Sequence, residues 1–205
     1  MKSQQFQPAS QILAPSHPLK DYAGTYYHPG YGNFVVYLDK DSLFAKGTEN
    51  VLWLRHYHYD VFEFFDKDSK EGIDTTDGPA SYKFQFQMNS AGDIDGLLAP
   101  FEAGLKPLVF TKQLTPKEVK KDDLQKYTGE YDLNGGIVKL YIKNDKILYA
   151  LVPGQPEYEL VPVDKDKFGL KVISGYFIQF SVDDKNKVND LTFIQPNGNF
   201  KAVKK

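Results

Sequence analysis

Leu19-Lys-Asp-Tyr22-Ala-Gly24-Thr-Tyr26 is answered by Leu124-Gln-Lys-Tyr127-Thr-Gly129-Glu-Tyr131, the same L-x-x-Y-x-G-x-Y pattern 105 residues further on. A second correspondence closes each copy. Tyr82-Lys-Phe84-Gln-Phe86 through Leu97 aligns with Tyr176-Phe-Ile178-Gln-Phe180 through Leu191 at a constant separation of 94. Between these stretches, Leu43-Phe-Ala45 answers Leu148-Tyr-Ala150. The chain therefore reads as two diverged copies of one module in tandem, the second shorter in its middle by 105 − 94 = 11 residues.

Each copy reads as a series of short strands with turn residues at the junctions. In the first, the strands are expected over 25–28, 33–38, 43–46, 51–55, 61–65, 82–88, 94–98 and 107–111. Pro29-Gly30, Asp39-Lys-Asp-Ser42 and Asn89-Ser-Ala-Gly92 supply turns. Asn134-Gly-Gly136, Lys143-Asn-Asp-Lys146 and Pro196-Asn-Gly198 do so in the second. Closing such a meander on itself removes its two edges, and about eight strands suffice for side chains to fill the inside. The expected fold is all-β: two tandem small up-and-down β-barrels of about eight short strands each. The boundaries are a linker-like segment at 1–18, a first barrel at 19–113, a linker at 114–123 and a second barrel at 124–205. Thr115-Pro-Lys-Glu118 fits a helix N-cap followed by proline, which places a short helix or turn in the linker.

Composition narrows the function. The chain has 15 Phe and 14 Tyr against one Trp, an excess that suits half-buried strands. A net charge of −2 gives no electrostatic footprint for nucleic acid. Arg55 is the only arginine, which excludes an arginine cluster for phosphate. Without cysteine there is neither a disulfide nor a thiol nucleophile. No apolar run reaches the roughly 18 residues of a membrane-spanning helix.

Chemistry-bearing residues gather in the first copy. His56-x-His58 on an extended strand places two imidazoles on one face, about 7 Å apart. With Asp60, Glu63 or His28 as third ligand they form the candidate metal pair, set against a reading in which they cap a barrel end and bond to backbone. His28, Tyr31, Trp53, Tyr57 and Tyr59 form the candidate ligand-binding set together with His56, His58 and Asp60, as aromatics rimming a barrel mouth. A barrel of such short strands is expected to fill with Phe and Tyr, leaving no spacious cavity. Asp39-Lys-Asp41 and Asp66-Lys-Asp68 read as solvated hairpin tips, not calcium loops. No cofactor is expected.

The stretch Pro15-Ser-His-Pro-Leu-Lys-Asp-Tyr-Ala-Gly-Thr-Tyr-Tyr-His-Pro-Gly-Tyr-Gly32 and the cluster Arg55-His-Tyr-His-Tyr-Asp-Val-Phe-Glu63 resemble a bacterial and archaeal domain of unknown function. That domain follows the catalytic domain of class C β-lactamase-like and penicillin-binding-protein-like serine hydrolases. Tyr127-x-Gly-x-Tyr131, Pro153-Gly-Gln-Pro156 and Tyr158-Glu-Leu160 resemble a more distant branch of it. The resemblance implies a lipocalin-like barrel, a periplasmic or secreted setting, and a serine hydrolase domain or subunit as partner. The hydrolase's own S-x-x-K and K-T-G motifs are missing: Ser42, Ser69 and Ser81 lack Lys three residues on, and Lys46-Gly-Thr48 has the wrong order. The expected function is a non-catalytic accessory module that modulates substrate access or assembly. The second expectation is a barrel that binds a small hydrophobic or peptide ligand.

Overall fold

The computed structural model describes residues 13–205 apart from 49, 69–71, 77, 81, 102 and 103. Residues 1–12 of the linker-like segment, Ser69, Ser81 and parts of the 66–79 loop lie outside the described residues. The chain forms two compact units, the first including residues 13–87 and 96–112 and the second residues 113–205.

The first unit opens with a one-turn helix α1 (Leu19–Tyr22). It continues through β1 (Gly24–His28), β2 (Gly32–Asp39), β3 (Ser42–Lys46), β4 (Val51–His58), β5 (Val61–Asp68), β6 (Gly72–Ile73), β7 (Lys83–Met88), β8 (Ile94–Ala99) and β9 (Leu108–Lys112). Sheet order, with β4 also paired to β5 and β9 paired back to β1, closes eight strands into an antiparallel barrel. The two-residue β6 hangs on the end of β5.

The second unit opens with α2 (Lys121–Leu124) and a 3-10 turn (Gln125–Tyr127). Its strands are β10 (Gly129–Leu133), β11 (Gly136–Lys143), β12 (Ile147–Leu151), β13 (Glu157–Asp164), β14 (Lys167–Leu170), β15 (Phe177–Val182), β16 (Val188–Gln195) and β17 (Gly198–Lys204). They too form a closed barrel, β17 returning to β10 through Tyr131 opposite Lys204. The fold is thus two closed eight-stranded antiparallel barrels in tandem.

Strand alternation decides what fills them. On β7, Phe84 and Phe86 point inward and are buried, whereas Tyr82 and Met88, in register with them, overshoot the barrel and are exposed. Tyr26, Phe34, Phe62 and Phe110 join them inside, so the first core is a column of rings. Tyr22 packs on Phe62 and Phe86 at 5.3 and 5.0 Å, and Phe34 packs on Phe84 at 5.4 Å. The second core keeps Tyr127, Tyr131, Phe168 and Phe180 but is otherwise mostly aliphatic.

The repeated motif closes each barrel. Tyr26 donates its hydroxyl to the Tyr22 carbonyl at 2.7 Å, and Tyr131 donates to the Tyr127 carbonyl at 2.8 Å. The glycine between them makes room for a lysine on the closing strand. A Cβ on Gly24 would stand 2.5 Å from Lys112 Cε, and one on Gly129 would stand 3.0 Å from Lys204 Cε. Both glycines also hold positive φ, at 153° and 135°. The lysines use that space to cap the preceding turn. Lys112 donates to the Asp21 carbonyl at 2.6 Å and Lys204 to the Lys126 carbonyl at 2.8 Å.

Three expectations are corrected. The linker helix begins at Lys121, not after Thr115. Residues 113–120 stay extended because Lys117 donates its amide to the Pro162 carbonyl at 2.8 Å and its ammonium pairs with Asp164. Asp66-Lys-Asp68 lies within β5 and is not a hairpin tip, whereas Asp39-Lys-Asp41 does lie at the β2–β3 turn. The segment before Leu19, from Leu13 on, is bonded to the first barrel as described below.

Replacing Tyr26 or Tyr131 by Phe removes one buried hydroxyl and leaves a buried carbonyl short of a donor. Each substitution is expected to lower the unfolding free energy by about 1–2 kcal/mol in urea denaturation, with the strand spectrum retained. Unchanged stability in both variants would show that these bonds do not close the barrels.

Candidate functional site

A meander alternates its connections between the two ends of a barrel. The β2–β3 and β4–β5 turns lie at one end of the first barrel with α1, and the β1–β2, β3–β4 and β8–β9 connections lie at the other. The candidate residues divide between these ends.

The α1 end is tied shut. Tyr59 sits at φ 49°, a strained conformation for a bulky residue, within the two-residue turn that also holds Asp60. Its amide donates to the Leu13 carbonyl at 3.0 Å, and its carbonyl lies 2.8 Å from His56 Nε2. His58 stacks edge-on against Tyr59 at 4.4 Å and accepts the Leu13 amide on Nδ1 at 3.1 Å. A bulge between His56 and His58 breaks the strand register, so the two imidazoles are not the flat pair expected of an ideal strand. Each is engaged with main chain. Among the described residues, no group of three or more His, Asp or Glu is placed to hold a metal ion.

Asp60 is the hub of this end. It accepts from the Tyr22 hydroxyl, from the Ser16 amide at 3.0 Å and from the Ser16 hydroxyl at 2.8 and 2.9 Å. Its carbonyl accepts the Phe86 amide at 2.9 Å. Ser16 Oγ also lies 2.7 Å from His17 Nδ1, so a serine, a histidine and an aspartate meet here. Their order is not that of a nucleophilic triad. The serine hydroxyl lies between the carboxylate and the imidazole, whereas a nucleophilic triad has the imidazole between the other two. Sequence reasoning had not singled out Ser16, His17 or Tyr22.

Burial alone would raise the Asp60 carboxyl. The bonds from Tyr22 and Ser16 outweigh that effect and hold it below the ordinary aspartate value. Burial and the bond to Asp60 push the Tyr22 hydroxyl up to about 12. The second barrel repeats the device. Tyr127 donates to Asp166 at 2.6 Å, and the Phe180 amide donates to the Asp166 carbonyl at 2.8 Å. Burial again opposes ionisation, and the bonds from Tyr127 and Lys126 again hold the Asp166 carboxyl low. Asp60 thus shares a tyrosine hydroxyl and a phenylalanine amide with its counterpart in the copy that lacks histidine, where Lys126 stands in for Ser16.

The opposite end of the first barrel is open. A cavity of about 390 Å³ is lined by the rings of Tyr31, Phe34, Phe64, Phe101 and Phe110, with Leu52. Asn33, Gly47, Thr48, Asn50 and Asp66 complete it. His28 stands behind it, 5.4 Å from Tyr31 and 5.2 Å from Phe110, its Nδ1 accepting the Gly30 amide at 3.1 Å. Phe101 leans on Tyr31 at 5.8 Å and on Phe110 at 5.9 Å. Tyr31 and Phe101 remain 45% and 40% exposed, so rings that could pack on a ligand face solvent. Of the eight candidates, Tyr31 lines this mouth and His28 supports it. Trp53 lies on the outer wall against Phe65 at 5.4 Å, and exposed Tyr57 carries the Lys83 ammonium 4.4 Å above its ring. His56, His58, Tyr59 and Asp60 belong to the closed end.

The second barrel also has a cavity at its matching end, of about 400 Å³, with a different lining. Strand pairing sets the equivalences. Phe34, opposite Tyr26, corresponds to Val138, opposite Tyr131. Phe64 corresponds to Leu170, and Phe110 to Ala202. The 94-residue offset equates Phe101 with Gln195. Rings at these four positions are therefore a property of the first copy, the second mouth carrying Tyr158, Tyr176 and Phe193 at others.

The chain is a pair of closed antiparallel barrels, the first with an aromatic mouth. It belongs to the family described as Domain of unknown function (DUF3471), which matches residues 8–112, just over half of the 205. The match ends on the last residue of β9 and takes in the Ser16–Asp60 tie as well as the mouth. No curated protein matches the chain.

The lowered Asp60 carboxyl sets a pH dependence. A carboxyl held below its unfolded value stabilises the fold above that value, and the contribution is lost as pH falls through the folded one. D60N is expected to be less stable than the parent at pH 7, with the deficit shrinking as pH falls below about 4, where the unfolded chain takes up the proton, and closing below the lower folded value. Urea denaturation at pH 7 and pH 3 checks this; a deficit of equal size at both would contradict it.

Proposed function

We propose that this chain is a non-catalytic binding module of the kind appended to β-lactamase-like serine hydrolases, and that the mouth of its first barrel is the contact surface. The observation that carries the reading is the replacement of Phe34, Phe64, Phe101 and Phe110 by Val138, Leu170, Gln195 and Ala202 in a second barrel that closes equally well. Phe34 and Phe110 are buried at the floor of the mouth, but Phe101 stays exposed beside Tyr31, and rings left open to solvent point to recognition. The non-catalytic character is supported by the histidines. His28, His56 and His58 each spend a ring nitrogen on main chain, and His17 on Ser16. The partner in this reading is a serine hydrolase domain or subunit, periplasmic or secreted, whose substrate access or assembly the module modulates.

A second reading has the same mouth hold a small hydrophobic or peptide ligand. It is favoured by the volume of about 390 Å³, which falls within the usual range of small-molecule sites.

The test has two parts. The chain alone is expected to turn over neither a fluorogenic ester nor a β-lactam; turnover by the purified chain would overturn the non-catalytic assignment. Mixed with an S-x-x-K hydrolase encoded beside it, the chain is expected to co-sediment, and Y31A/F101A is expected to abolish the complex. A complex indifferent to both residues would move the contact surface away from the mouth.

A further inference from the structure

The mouth is apolar but not neutral. Asp66, near the end of β5, contributes the one charged side chain to its described lining. The nearest polar partner of that carboxylate is the Asn50 amide, at 3.5 Å. The neighbouring Lys67 turns to the other wall, its ammonium 4.3 Å from the Phe44 ring. Among the described residues no cation pairs with Asp66. Five rings and one uncompensated carboxylate around a small opening make a recognisable chemistry. The faces of aromatic rings attract an organic cation, the carboxylate supplies the countercharge, and the alkyl part of the ligand packs on the ring surface.

The second barrel supplies the contrast. Phe64 and Leu170 are equivalent, so two residues on Asp66 answers Val172, and the lining of that mouth carries no charge. The carboxylate is lost there together with the rings at the positions of Phe34, Phe64, Phe101 and Phe110, while Tyr158, Tyr176 and Phe193 line that mouth instead. The wider field agrees: Lys and Arg minus Asp and Glu gives 9 − 14 = −5 over 19–113, against 15 − 13 = +2 over 114–205.

We propose that the mouth of the first barrel binds a lysine side chain presented by a peptide segment. The ammonium sits against Tyr31 and Phe101 beside Asp66, and the methylenes lie on Phe34 and Phe110. The peptide source is chosen over a free amine because the rim carries Asn33, Thr48 and Asn50, whose side chains suit the amides of a main chain crossing the opening. This inference rests on the mouth being the contact surface and adds the chemistry of what enters it.

An NMR titration of the full chain decides it, with amide resonances followed for Tyr31, Thr48, Asn50, Asp66 and Phe101. The probes are acetyl-Ala-Lys-Ala-amide, the same peptide with norleucine for lysine, and n-butylammonium. The lysine peptide is expected to shift these resonances saturably and to bind roughly tenfold more tightly than the norleucine peptide. D66N is expected to weaken the lysine peptide roughly tenfold and leave the norleucine peptide unchanged, while F101A weakens both. An otherwise unchanged spectrum confirms that each variant is folded. Equal binding of the two peptides would overturn the cation and leave an apolar mouth, with the broader reading intact. Butylammonium binding as tightly as the lysine peptide would overturn the peptide source. No shift at the mouth with any probe would overturn the inference, and co-sedimentation would still judge the broader reading separately.

Discussion

One hydrogen bond, made twice, organises this molecule: a tyrosine hydroxyl from the turn before the first strand donates to an aspartate in the turn between the fourth and fifth strands. Tyr22 makes it to Asp60 and Tyr127 to Asp166. It draws the entering chain across one end of each barrel. The motif's second tyrosine then bonds back to the carbonyl of the first, and the motif glycine admits a lysine from the strand that closes the circle. Each position of Y-x-G-x-Y that is conserved between the copies has a task at that end. A buried tyrosine with a satisfied hydroxyl contributes both ring packing and a fixed orientation, which an aliphatic residue at the same place would not.

Locking one end leaves the other free to differ. At the lock the two copies agree in residue type and geometry. At the mouth they diverge: five rings and a carboxylate line one, whereas the other is lined by aliphatics, two glutamines and the rings of Tyr158, Tyr176 and Phe193, with no charge. The same split explains why Asp60, with three kinds of donor around it, is part of the frame, while Asp66, six residues along the same hairpin, faces the opening. The outer wall has its own buried charge. Arg55 grips Glu63 at 2.7 Å beneath its guanidinium and stacks at 4.6 Å on Phe65, so the chain's sole arginine serves the barrel's structure.

Much of the fold was legible in the residues. The repeated motif announced two modules, and alternation in stretches such as Tyr82-Lys-Phe84-Gln-Phe86 announced strands. Turn residues marked most junctions. The one-turn helix Leu19–Tyr22 escaped because four residues carry no periodicity. The helix expected after Thr115 failed because tertiary bonds to Pro162 and Asp164 hold that segment extended, against its local capping signal. The candidate site was legible only in part. His56, His58, Tyr59 and Asp60 are neighbours in sequence, and nearness drew them into one group with Tyr31 and His28, which a barrel's length separates from them. Phe34, Phe64, Asp66, Phe101 and Phe110 come from three strands and a loop, and no short motif links them. The available signal lay in comparing the two copies position by position, where those rings fall opposite Val138, Leu170, Gln195 and Ala202.

The account stands on the separation of a structural end from a recognition end. It is tested most directly by giving the first mouth the second copy's residues at two of its rings, Phe64 and Phe101. Urea denaturation of F64L/F101Q is predicted to leave the stability of the first barrel within about 1.5 kcal/mol of the parent, since one change is a hydrophobic swap and the other is at an exposed ring. A loss of several kcal/mol, or failure of the barrel to form, would show that the rings are there to hold the fold, and would contradict the account.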